Sequence, residues 1–301
     1  LAAGIINVYK EKGFTSHDVV AKLRGILKMK RIGHTGTLDP DAEGVLPVCI
    51  GKATKLVDLI TDKDKTYEAV LKLGITTDTQ DITGKIIKTG EVTVDKQRVE
   101  EVIKSYIGLY EQLPPMYSAI KVNGKKLYEL ARQGKEIERK RRPVMIHNIQ
   151  ILDYSEEEQE VRVVVDCGKG TYIRTLLHDI GEELGCGGVM KSLLRTRVGN
   201  FYLDESLRLT ELSELAVNKN IEQVILPIDS MFEAYPAVKI REESQRFLLN
   251  GNNFTKEQTI NPEAIITDGW VRVYDTEGNF AALYQYDVTL NCFKPVKMFL
   301  S

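Results

Sequence analysis

The residues best placed to do chemistry lie in one run, Gly36-Thr37-Leu38-Asp39-Pro40-Asp41-Ala42-Glu43-Gly44-Val45-Leu46-Pro47. A carboxylate, Asp39, stands between a glycine turn and a proline, with an apolar segment behind it. Pro40 has no backbone N–H and biases Asp39 toward extended backbone. Gly36 and Gly44 let the chain turn where a side chain would be strained. The outcome is a shaped loop that presents a carboxylate. A positioned aspartate can act as nucleophile or base without a cofactor. An Asp-Pro pair is also an ordinary turn former, and these residues alone do not separate the two readings.

The elements that must position this loop read clearly on either side of it. Thr15 and Asp18 have capping-box spacing, and Val19, Val20, Leu23, Ile26 and Leu27 then share one helical face. Lys22, Arg24, Lys28, Lys30 and Arg31 make this helix and its exit basic. Val45 to Ile50 predicts a strand, and residues 55–60 a short helix. Tyr67, Ala69, Leu71 and Leu73 alternate on one face of a strand. Thr83-Gly84-Lys85 marks a turn into another short strand. Val99, Val102, Ile103, Tyr106 and Ile107 form a helical stripe ending at Gly108. Residues 161–167 predict a β-branched strand, and Thr171 to Arg174 leads into a helix ending near Gly185. The region 209–224 is helical, Pro227 and residues 231–236 read as a linker, and residues 238–301 as a small, mostly β module. Strands and helices alternate without a βαβ rhythm, which favours α+β over a doubly wound sheet.

The 301 residues suit one large or two ordinary domains. The 43% hydrophobic and 28% charged composition is that of a globular chain with a real core. No apolar run reaches membrane-spanning length, and the first ten residues lack the pattern of a secretory signal, so a cytoplasmic location is expected. Cys49, Cys167, Cys186 and Cys292 are scattered, without CxxC or zinc spacing. No metal is expected. There is no GxGxxG, and Gly168-Lys169-Gly170-Thr171 lacks P-loop spacing. The net charge of −2 does not advertise a nucleic-acid partner, but local distribution decides that question. Residues 118–142 hold nine basic residues against three acidic ones, with Tyr117 and Tyr128 beside and within the run and a short helix at Leu127, Leu130 and Ala131.

Several motifs in order resemble the TruB family of tRNA pseudouridine synthases. Residues 33–46, from Gly33-His34-Thr35-Gly36 through Asp39-Pro40 to Gly44-Val45-Leu46, are similar to its catalytic motif. Lys10 to Asp18, Lys65-Thr66-Tyr67-Glu68-Ala69, Thr83-Gly84, Pro114-Pro115-x-Tyr117-Ser118-Ala119, Gly170-Thr171-Tyr172-Ile173-Arg174 and Ser192-Leu193-Leu194-Arg195-Thr196 follow. The likeness covers nearly all of residues 4–229. One departure is visible: Glu11 stands where the family commonly has proline after the lysine.

The resemblance implies a pseudouridine synthase fold. That is a mixed, largely antiparallel sheet with flanking helices and a basic thumb-like insertion (118–142) in a catalytic domain (1–229). A PUA-like RNA-binding domain (230–301) follows. It implies a stand-alone monomer that binds the tRNA T stem-loop and needs neither cofactor nor guide RNA. The reaction isomerises the T-loop uridine (position 55 of the tRNA): C1′–N1 breaks, the base turns, and C1′–C5 forms. Asp39, Tyr67 and Arg174 are then the catalytic residues. Asp39 attacks the sugar, removes the C2′ proton or attacks uracil, and the sequence does not choose among these. Arg174 is its counter-ion. Tyr67 gives the flipped base a π-face and assists loss of the C5 proton. Tyr172 and Leu193 wall the uracil pocket, His34 helps displace the base, and Lys10, Gly36 and Thr37 complete the substrate site. Lys121, Lys125, Lys126, Arg132, Arg139, Lys140, Arg141 and Arg142 contact RNA phosphates. A guide-RNA-dependent relative of the dyskerin type lacks such a thumb. A noncatalytic RNA-binding protein on this scaffold would not retain Asp39, Tyr67 and Arg174. A retaining glycosidase would want a second carboxyl about 5 Å away, and no second acidic motif stands out.

Overall fold

The computed structural model describes residues 2–122, 124–260 and 269–300, and for Lys121 only its strand position. In chain order, β1 (Gly4–Lys10), α1 (Ser16–Leu27), β2 (Ile32–His34) and β3 (Glu43–Ile50) come first. A 3-10 turn (Gly51–Leu56), α2 (Val57–Thr61), β4 (Lys65–Leu73), β5 (Ile75–Thr77) and β6 (Ile86–Thr89) follow. Then come α3 (Lys96–Ser105), β7 (Gly108–Gln112), β8 (Lys121–Val122), β9 (Lys125–Lys126) and α4 (Leu127–Arg132). The body continues with β10 (Arg142–Ser155), β11 (Glu160–Cys167), α5 (Ile173–Glu183), β12 (Gly188–Val198) and β13 (Phe201–Tyr202). After α6 (Leu209–Val217) and β14 (Leu226–Pro227), the last part holds β15 (Ala237–Lys239), α7 (Gln245–Leu249), β16 (Gly269–Tyr274), β17 (Phe280–Asp287) and β18 (Cys292–Met298).

The main sheet runs β14-β1-β3-β12-β4-β11-β10-β7, with β2 on β3 and β13 on β12. Every pairing is antiparallel except β3 with β12, which meet in parallel over Glu43–Leu194 and Gly44–Arg195. This short seam joins the two halves of the sheet. It is also where the Asp39 loop enters β3.

Each half has its own core. Helices α3 and α5 cover β4, β10 and β11 through Val99, Val102, Leu176, Leu177 and Ile180. Helices α1 and α6 cover β1 and β3 through Val19, Leu23, Leu209 and Leu212. The predicted capping box of α1 is present, with Asp18 N donating to Thr15 Oγ1 at 3.0 Å and Thr15 N to Asp18 Oδ2 at 2.8 Å. The alternation read in residues 67–73 is that of β4, whose odd-numbered residues are buried. The stripe at 99–107 stops short of Gly108, because α3 ends at Ser105 and Ile107 is exposed.

The C-terminal four strands form a separate sheet in the order β15-β16-β17-β18. The expected linker before it is packed. Leu226–Pro227 pairs with β1, and Ile228 and Phe232 lie in one core with Ile5, Val45, Leu56, Leu283 and Phe299. Apolar side chains, invisible as a pattern in so short a segment, hold this sheet against the body.

Candidate active site

Asp39 begins a turn closed by Ala42 N donating to the Asp39 carbonyl at 3.1 Å. Aspartate followed by proline is the favoured start of such a turn. Three neighbours fix the loop from behind. Buried Ser16 accepts from Leu38 N at 3.0 Å. Gly13 N donates to the Pro40 carbonyl at 2.9 Å. Lys10, wholly buried, donates its ammonium to the carbonyls of Glu11 (3.1 Å), Phe14 (2.6 Å) and Pro40 (3.1 Å). The expectation that Lys10 meets substrate is thereby corrected. Its donors are spent on backbone, and it positions the loop. Burial lowers its pKa to about 8, a shift that Glu43 and Asp39 partly oppose.

Arg174 reaches the loop from the first turn of α5. It is 5% exposed, and its Nη2 lies 3.3 Å from Asp39 Oδ1. The same nitrogen donates to the carbonyl of Tyr117, at the base of the insertion. Nη1 stands 4.0 Å from Asp81 Oδ2. Desolvation raises the pKa of Asp39; Arg174 opposes this, and the charge of Asp81 adds to it. The Asp39 side chain is 36% exposed, so a buried environment still opens to a ligand.

Asp81 is the second carboxylate that the sequence did not reveal. Its Oδ1 accepts from Thr79 Oγ1 (2.8 Å), Thr83 N (3.0 Å) and Thr83 Oγ1 (2.6 Å). Three donors on one oxygen fix the orientation of the Asp81 carboxyl group. The Thr-x-Asp-x-Thr pattern was the only signal, and it reads as an ordinary turn.

Tyr67 and Leu193 pack in the same core as Leu38. Tyr67 stands across the β4–β12 pair from Arg195, which is 1% exposed. Arg195 donates to the carbonyls of Val45 (2.7 Å) and Gly36 (3.3 Å), tying both ends of the catalytic loop to the seam. Burial raises the Tyr67 pKa and the Arg195 cation opposes it. Arg195 lies in the Ser192–Thr196 motif, where the sequence points to Leu193 and gives no sign of the arginine's role. Gly44 permits the close approach. It has φ +108°, and a Cβ there would sit 2.2 Å from the Arg195 carbonyl oxygen.

His34 lies at the end of β2, its ring edge-on to His17 at 5.1 Å between centroids. Burial, with His17 and Arg195 adding to it, lowers its pKa to about 4, so the imidazole is neutral near pH 7. Thr37 is exposed on the loop, while the Gly36 carbonyl is taken by Arg195. Tyr172 is clamped at its backbone by buried Gln112, which accepts from Tyr172 N (2.8 Å) and donates to its carbonyl (3.0 Å).

The insertion leaves and rejoins the sheet at one point, since Gln112 pairs with Arg142. Lys125, Arg132, Lys140, Arg141 and Arg142 are exposed and Lys126 is half-buried. Lys126 and Arg132 both lie 5.4 Å from the Tyr128 ring centroid. Arg139 departs from the expected phosphate contact. It is half-buried and donates to the Pro114 carbonyl at 3.0 Å, which pins the base of the insertion.

Glu11, the departure from proline, pairs with Arg208 at 2.7 Å. Arg208 stacks 4.6 Å above the Tyr9 ring, and Tyr9 donates to Glu43 at 3.1 Å.

The profile of the TruB family pseudouridylate synthase N-terminal domain matches residues 24–173, and that of the tRNA pseudouridylate synthase B C-terminal domain matches residues 174–233. The chain belongs to the TruB family. It is therefore a pseudouridine synthase, an isomerase. A relative named tRNA pseudouridine synthase B from Lachnoclostridium phytofermentans is 59% identical, over 99% of both chains. One of the same name from Staphylococcus aureus is 43% identical, over 98% of this chain and 99% of its own. Among solved structures, a Cbf5-Nop10-Gar1 complex shows 27% identity and a TM-score of 0.71, over 99% of this chain and 85% of the other. An H/ACA RNP bound to a substrate RNA containing 2'-deoxyuridine is similar at 25% identity, with the same TM-score and coverage. The TruB-family fold is thus shared with proteins of H/ACA complexes.

Proposed function

We propose that this chain is a stand-alone tRNA pseudouridine synthase acting on the T-loop uridine, with Asp39 as its catalytic carboxylate. The observation that carries this is the Asp39–Arg174 pair at 3.3 Å on a loop braced by Ser16, Lys10 and Arg195. Cleavage of C1′–N1 builds positive character on the ribose, and a fixed carboxylate stabilises it. The base, held near Tyr67, Tyr172 and Leu193, turns and bonds through C5. The C5 proton leaves to solvent and N1 takes one up, so the product is an isomer. Lys121, Lys125, Lys126, Arg132, Lys140, Arg141 and Arg142 hold RNA phosphates, and His34, uncharged, fills the space the base vacates.

Likeness to the synthase B relatives over nearly their whole length, far above that to the H/ACA proteins, supports action without a guide RNA. Residues 1–229 form the catalytic body, and the β15–β18 sheet is a PUA-like RNA-binding module. No described helix is long and apolar enough to cross a membrane. Four free cysteines suit the reducing cytoplasm. The test is tritium release from tRNA labelled at uridine C5. Wild type releases it and Asp39→Asn, still binding tRNA, does not. Release by Asp39→Asn would remove Asp39 from the mechanism.

A further inference from the structure

The stretches 19–38 and 44–57 contain seven lysines and arginines and no acidic residue, in a chain with 43 acidic and 41 basic side chains. The fold brings the two stretches together. Arg31 Nε donates to Thr54 Oγ1 at 2.7 Å, and Gly51 N donates to the Arg31 carbonyl at 2.8 Å. Lys22, Arg24, Lys28, Lys30 and Arg31 are exposed. None of these five forms an ion pair with a carboxylate among the described residues. Arg24, Lys28, Met29 and Lys30 line an open hollow of about 420 Å³. Cations are favoured at the C-terminal end of a helix, which accounts for Arg24 and Lys28. It does not account for Lys30, Arg31, Lys52 and Lys55, which lie beyond α1.

The position of the cluster relates it to the active site. The first residue of α1, Ser16, holds Leu38 beside Asp39. At about 1.5 Å per residue, Lys22, Arg24 and Lys28 stand about 9, 12 and 18 Å along the helix axis from that end, with Lys30 and Arg31 beyond it. This increasing distance from Asp39 suits contacts to RNA flanking the target uridine. On the far side, Lys55 donates to the Met298 carbonyl at 2.7 Å, at the end of β18. The basic surface therefore occupies the C-terminal half of α1 and the turn after it, with Lys55 on its far side against the C-terminal sheet.

We propose that the surface formed by Lys22, Arg24, Lys28, Lys30 and Arg31 binds phosphates of the substrate RNA outside the T stem-loop, on the path to the C-terminal module. This rests on the reading of the chain as a tRNA synthase. The partner is a polyanion and not a lipid surface, because the apolar face of α1 is buried against the sheet and leaves only charge outside.

The test uses a triple variant, Lys22→Gln, Lys28→Asn and Lys30→Gln. Asparagine suits position 28, where φ is 50°. Binding is measured against salt for full-length tRNA and for an isolated T stem-loop, with tritium release at saturating RNA as the control. Each lost phosphate contact lowers the salt slope by about 0.9, so the slope for tRNA is expected to fall by about 2.7. The expected result is weaker tRNA binding at 100 mM salt, with T stem-loop binding changed less than about twofold and saturated release unchanged. Unchanged tRNA affinity and slope overturn the proposal. So does an equal loss on both RNAs, which would place the contact on the T arm. Absence of release by wild type would instead remove the synthase reading itself.

Discussion

Arg174 and Asp81 should move the acid limb of activity in opposite directions. In the proposed mechanism Asp39 is ionised, and burial already lifts its pKa above the ordinary carboxylate value. Arg174 is the largest influence holding it down, while Asp81 pushes it up. Two unit charges 3.3 Å apart attract by about 5 kcal/mol at an effective dielectric of about 20. A carboxylate 36% exposed is partly screened, which reduces this to about 1.5–4 kcal/mol. Arg174→Gln should therefore raise the acid limb. Below that limb the rate falls about tenfold per pH unit. Asp81→Asn should lower it by a smaller amount. The assay is single-turnover tritium release from pH 4 to pH 9 in buffers of constant ionic strength, so that product release does not mask the chemical step. Limbs that coincide with wild type in both variants, or that shift the same way, would refute the account of Asp39 as a buried carboxylate balanced between two charges.

The two other predictions concern the supports of the loop. Arg208→Ala should reduce stability only slightly, since it removes an exposed ion pair and one cation–π contact. It should also lower kcat more than it raises KM, and Glu11→Pro in that background should restore kcat by returning stiffness to the turn; a kcat that stays low counts against this role of the Glu11–Arg208 pair. Gly44→Ala should cost at least about 3 kcal/mol, through φ +108° and the contact at 2.2 Å. Thermal denaturation checks it, and a melting temperature near wild type would contradict the seam geometry.

How much of this was legible in the chain depended on whether the signal was local. The Thr15–Asp18 cap, the alternation of β4 and the Gly-Asp-Pro loop are written within a few residues, and each stands where it was read. Arg195 was not legible in that way. A lone arginine in an alternating strand looks like a solvent-facing residue, and only the parallel seam brings the Val45 and Gly36 carbonyls to it. Lys10 failed in the opposite sense, because a lysine in a motif suggests a ligand contact, while three converging carbonyls are a property of the fold. Asp81 sits in a turn whose partner lies 93 residues away on α5, a separation no periodicity spans.

The counter-ion of Asp39 is not independent of the RNA-binding insertion. One nitrogen of Arg174 serves both the Asp39 carboxylate and the Tyr117 carbonyl. Two hydrogen bonds join Gln112, the last residue before the insertion leaves the sheet, to the backbone of Tyr172. Ser118, inside the insertion, is buried, and its backbone carbonyl accepts from Tyr128 N at 3.1 Å. Each such bond contributes only about 1 kcal/mol, yet those of Arg174 and Gln112 converge on the first turn of α5. A displacement of Tyr117 therefore changes the donors left to Asp39, and with them the charge balance that sets its pKa. Because the guanidinium is 5% exposed, water cannot readily replace a lost partner. Under the proposed function, seating the insertion on RNA and orienting the Asp39 carboxylate thus draw on the same arginine, and a variant that loosens the insertion at Tyr117 must be read for chemistry as well as for binding.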